Sequence, residues 1–99
     1  MGTTMLFHVH MTVQLPPDLD PTTRATLSEA EHIRAKEIQE AGKWRHLWRV
    51  AGTFQNISIF DVADPAELHD LISSLPFYPY MQIEVTALCH HPGSIRSDD

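Results

Sequence analysis

The sequence predicts an α+β fold of order βαββαβ, an antiparallel four-stranded sheet with two helices on one face. Three observations predict it. Asp20-Pro21 and Asp64-Pro65 each offer a helix N-cap followed by proline at the first helical position. Four segments alternate side-chain character with the period of two that a strand requires. Gly52-Thr53 separates the second and third of those segments by a hairpin-length gap.

Residues 5–14, MLFHVHMTVQ, set Leu6, His8, His10 and Thr12 against Phe7, Val9, Met11 and Val13, and Leu15-Pro16-Pro17 ends the strand because proline cannot donate to a ladder. From Pro21 to Ala41 there is no breaker before Gly42, which suits the C′ position of a long helix. At about 100° per residue, Leu27, Ala30, Arg34, Ile38 and Ala41 fall on one stripe, with Glu31 on its margin. Strand periodicity returns over 43–51 and 54–62. Asp64-Pro65 with Glu67 repeats the cap, and Leu68, Leu71, Ile72 and Leu75 form the apolar stripe of a shorter helix that stops at Pro76. After the aromatic loop 77–80, residues 81–88 alternate Gln82, Glu84 and Thr86 with Ile83, Val85 and Ala87. This is the ferredoxin-like arrangement, expected as one domain over 5–95, with residues 1–4 an extension and 96–99 a tail. The second sheet face carries His8, His10, Thr12 and Glu84 beside Leu6, too apolar for free solvent, so a second subunit is expected to cover it.

Composition excludes several functions. A formal charge of −6 gives no general attraction to nucleic acid or anionic membrane, so the seven Lys and Arg residues are local devices. The single Cys89 excludes an intramolecular disulfide and a multi-cysteine zinc site, and suits a reducing cytoplasm; a soluble, cytoplasmic protein is expected. His8-x-His10 and His90-His91 lack the spacing of a metal site, and no glycine-rich phosphate loop or G-x-S-x-G turn is present. No metal and no cofactor are expected.

The octet KWRHLWRV, residues 43–50, holds three cations, both tryptophans and a histidine. Strict alternation sends Trp44, His46, Trp48 and Val50 one way and Lys43, Arg45, Leu47 and Arg49 the other, so that two guanidiniums flank a leucine. The plain alternative is a solvated edge, or pairs with Asp and Glu. Two spaced cations near a semi-buried Glu31 favour a pocket for a carboxylate, which a planar guanidinium fork matches. Glu31 has its own plain alternative, bending out to water. If it is enclosed, desolvation raises its pKa and a neighbouring arginine lowers it, the balance a general base near neutrality needs.

The stretches MLFHVHMTVQLPPDLDP, GKWRHLWRVAGTFQNISIFDV, ELHDLISSLPFYPYMQIEV and CHHPGSI resemble the muconolactone isomerases in order and spacing from Met5 to Ile95. The resemblance implies a cofactor-free isomerase, an intramolecular oxidoreductase that converts muconolactone to the enol-lactone of 3-oxoadipate in the catechol branch of the β-ketoadipate pathway, and a homodecamer of small subunits. It implies Glu31 as the acid–base residue. Arg45 or Arg49 would hold the substrate carboxylate, and His46, Asn56 and Tyr80 join them as substrate-binding candidates. His32 and His10 stand where the family often has a lysine or arginine. Two alternatives remain in view: a 5-chloromuconolactone dehalogenase, and a small-ligand-binding domain of the same fold.

Overall fold

The structure is a computed structural model and describes residues 3–96; residues 1–2 of the expected extension and 97–99 of the expected tail lie outside the described residues. The order is β1 (Met5–Val13), α1 (Pro21–Glu40), β2 (Trp44–Arg49), β3 (Gln55–Val62), α2 (Pro65–Ser73), a 3₁₀ turn (Tyr78–Tyr80) and β4 (Met81–Leu88). The strands form one sheet in the order β2-β3-β1-β4, every neighbouring pair antiparallel. The expected βαββαβ fold is the one observed.

Local chemistry fixes the helix ends. Asp20 Oδ2 accepts from the Thr23 N–H at 3.1 Å, and Asp64 Oδ1 accepts from the Glu67 N–H at 2.8 Å. Glu67 in turn accepts from the Ala63 N–H at 2.7 Å, tying the entry of α2 to its first turn. At the far end of α1, Lys43 N–H reaches the Ile38 carbonyl and Gly42 N–H the Gln39 carbonyl, a Schellman ending with Gly42 at φ +78°. Gly52, at φ +80°, turns the β2–β3 hairpin.

The core lies between the sheet and the helices. Phe7, Val9 and Met11 of β1, Phe60 and Val62 of β3, and Trp44 of β2 meet Ile38 of α1 and Leu68, Ile72 and Leu75 from α2 and its exit. Trp44 stacks on Phe60 with ring centroids 5.0 Å apart. The stripe of α1 differs from the expected one. Ala35 packs against the core while Ala30 and Ala41 are exposed, so the buried line runs through Glu31 rather than past it.

The larger correction concerns β2. A bulge between Trp44 and His46 inserts Arg45: Trp44 pairs with Phe60, but His46 pairs with Ile59. Trp44 therefore faces the helices, whereas His46 and Trp48 face the opposite side and stack on each other at 4.9 Å. Leu47 and Arg49, opposite Ser58 and Asn56, return to the helix side. Arg45 and Arg49 do not share a face, and neither do the two tryptophans.

Candidate active site

Beneath the middle of α1 lies a cavity of about 430 Å³. Glu31 and His32 come to it from α1, Trp44, Leu47 and Arg49 from β2, and Asn56 from β3. Phe77 closes one side. The geometry follows from two local devices. The line of α1 that should be apolar carries a carboxylate at Glu31, and the bulge in β2 turns Arg49 toward it.

Glu31 is half-buried, and its Oε1 accepts the Phe77 N–H at 2.8 Å. Desolvation pushes its carboxyl above the ordinary value of 4.5, and the Phe77 N–H, which favours the charged form, pulls part of the way back. The expected opposing influence was an arginine; the structure supplies a backbone amide instead. The result is a carboxyl group held in one orientation by a bond that also selects which oxygen remains available.

Arg49 donates from Nη1 to the Thr53 carbonyl at 3.1 Å, which fixes its head across the hairpin turn and leaves further N–H groups of the fork. Asn56 Oδ1 accepts from the Ser58 hydroxyl at 2.8 Å. The Trp44 indole N–H is buried without a protein partner.

Of the residues singled out from sequence, Glu31, Arg49 and Asn56 are brought together, and His32 joins them. Arg45 and His46 are not. They line a separate cavity of about 500 Å³ on the other sheet face with Leu6, Trp48 and Ile59. There Arg45 pairs with Asp61 at 3.2 Å. Tyr80 sits in the 3₁₀ turn, where its carbonyl accepts from the Gln14 N–H, and it does not line the Glu31 cavity. His10 contacts Gln55 at 2.6 Å and Glu84 at 3.9 Å on the outer face. Among the described residues, no three His, Cys, Asp or Glu side chains group at metal-ligand spacing. Sequence reasoning missed Phe77, whose contribution is a backbone N–H, and Phe54 and Met81, which complete the apolar wall.

Comparison with known proteins identifies the family. The family profile described as muconolactone delta-isomerase matches residues 5–94. Muconolactone Delta-isomerase 2 of Acinetobacter lwoffii is 55% identical over 95 residues, covering 96% of this chain and 99% of that protein. Muconolactone Delta-isomerase of Pseudomonas putida is 52% identical over the same shares. A crystal structure of muconolactone isomerase superposes with a TM-score of 0.90 at 54% identity, covering 96% of this chain and 99% of that one. The chain belongs to the muconolactone delta-isomerase family.

Proposed function

We propose that this protein isomerises muconolactone to the enol-lactone of 3-oxoadipate, with Glu31 as the one base that moves the proton. The supporting observation is a half-buried carboxyl of raised pKa, oriented by the Phe77 N–H, in a cavity that also holds the Arg49 guanidinium. The Glu31 carboxylate removes the proton from the ring carbon that bears the carboxymethyl group. The electron pair spreads through the ring to the lactone carbonyl oxygen as a dienolate, and the carboxylic acid formed at Glu31 returns the proton to the carbon beside the carbonyl. Atoms and charge balance with no other reactant. A base shielded from water holds its proton between the two steps, and its raised pKa makes it a competent acid for the second. Arg49 matches the substrate carboxymethyl group with a bidentate fork and offsets the charge that develops on the ring. Leu47, Phe54, Phe77 and Met81 give the cavity its apolar lining.

The test is turnover of muconolactone followed by proton NMR, with deuterium on the carbon that is deprotonated. The enol-lactone should form and retain part of the deuterium at its new position. Absence of turnover overturns the reading, and chloride release from 5-chloromuconolactone as the main activity replaces it with dehalogenation.

The protein is proposed to work as a homo-oligomer, a decamer by family resemblance, in the cytoplasm. Trp48 is 55% exposed, and Leu88 and the half-buried Leu6, Ile57 and Ile59 extend its apolar area across the outer sheet face of a single subunit. Burial of that face between subunits removes it from water. A monomeric mass by light scattering at micromolar concentration would count against the assembly.

A further inference from the structure

The Glu31 cavity continues into a second one of about 480 Å³, and the two share Val13, Arg49, Phe54 and Phe77. Arg24, in the first turns of α1, lines only the second. It donates from Nη2 to the Pro16 carbonyl at 2.9 Å, as Arg49 does to Thr53 at 3.1 Å, so each head is steered by one backbone carbonyl and retains other N–H donors.

Charge distinguishes these two arginines from Arg34, Lys43 and Arg45, which pair with Glu37, Glu67 and Asp61. Among the described residues, neither Arg24 nor Arg49 makes an ion pair, and no acidic side chain lines the cavity they share. Arg24 is half-buried and Arg49 exposed, and two guanidiniums lining one cavity with no carboxylate among its lining residues concentrate positive potential at its mouth. The chain as a whole carries −6, so an anionic substrate is repelled by most of the surface and drawn to this opening.

We infer that Arg24 is a second anion-binding residue of the site, capturing the carboxylate of a small lactone acid in the outer cavity and sharing it with Arg49 as the ring reaches Glu31. The identity of the anion rests on the isomerase reading; the anion site itself does not.

The experiment measures wild type, Arg24→Gln and Arg24→Lys in two ways. In turnover, Arg24→Gln should raise KM about 3- to 10-fold with kcat within about twofold, the size of one solvent-accessible charge contact. The fall of kcat/KM with ionic strength, between about 20 and 300 mM, should flatten in Arg24→Gln and persist in Arg24→Lys. A purely structural role, through the Pro16 carbonyl, lowers thermal stability but leaves that salt slope at its wild-type value, and such a result overturns the inference. In the second measurement, calorimetric binding of the saturated lactone acid, which has no double bond to move, should weaken by the same factor in Arg24→Gln. Unchanged affinity there also overturns it. If wild type binds this analogue through Arg24 but does not turn over muconolactone, the isomerase reading fails and the anion site stands. If Arg24→Gln does not fold, Arg24→Lys decides: retained affinity and salt slope support the inference, and loss of both despite a folded chain removes it.

Discussion

The two helices are built alike at their starts and differently along their lengths. Both begin with an Asp cap and an N1 proline. Yet α2 buries Leu68 and Ile72 in nine residues and Leu75 just beyond, while α1 fully buries Ile38 alone in twenty. Each large aliphatic side chain removed from water contributes about 1.5–3 kcal/mol, so α2 does more to hold the sheet per residue than α1. What α1 has instead is secure ends, the Asp20 cap and the Schellman turn at Gly42, with a carboxylate and a histidine over a cavity between them. The difference separates two jobs: one helix closes the core and the other suspends a reactive group above a space that must stay open.

The sharpest way to break the contrast is at the carboxylate. Glu31→Gln keeps the acceptor for the Phe77 N–H but removes the base, so kcat should fall by the roughly 10²–10⁴-fold typical of general acid–base groups while the melting transition survives. An active Glu31→Gln enzyme would move the chemistry off α1. The converse substitution in α2, Ile72→Ala, should cost about 2–5 kcal/mol of stability by chemical denaturation, with kcat of the folded fraction near wild type. A loss of kcat larger than the loss of folded protein would mean that α2 shapes the site as well. Next comes β2: Arg49→Lys should lower kcat/KM by about 10- to 150-fold, because a lysine cannot supply the fork, whereas Arg45→Lys should stay within about threefold. Equal effects would contradict the separation of faces made by the bulge.

The smallest expected effect is on pH. Because burial raises the Glu31 pKa from 4.5, the folded chain binds more protons than the unfolded one in the window that begins there, so this group's contribution to stability declines as pH rises through it. Glu31→Gln removes that decline. Its stability relative to wild type should therefore improve as pH rises above 4.5, read from urea midpoints at each pH. A difference that stays flat with pH would show that Glu31 is not desolvated.

Much of this was legible because caps, prolines and alternation are local signals. The helix starts at Asp20 and Asp64 and the end at Gly42 follow from side chains that act on their own neighbours. The stripe of α1 was read one position off because alanines lie on both sides of it and carry little hydrophobic contrast: Ala30 points to water and Ala35 to the core. The site was half legible. Glu31 came from its place on the helix margin and from the family resemblance, and Arg49 from the basic octet, but a period of two has no place for the extra residue at Arg45, so the faces assigned from His46 to Arg49 were inverted relative to Trp44. The grip on Glu31 comes from the Phe77 amide, and a backbone N–H leaves no trace in residue type.

That extra residue has a consequence for anyone building variant libraries. In a regular strand, randomising alternate codons varies one surface and spares the other. Here codons 44, 47 and 49 address the cavity under α1, while 46 and 48 address the opposite side with Arg45, so an alternating scheme that starts at 44 scrambles both. A single-codon deletion at 45 is a different kind of move altogether. It would make the pairs Trp44–Phe60 and His46–Ile59 consecutive, remove Arg45 with its Asp61 ion pair, and leave Trp44, Leu47 and Arg49 on one face and His46 and Trp48 on the other.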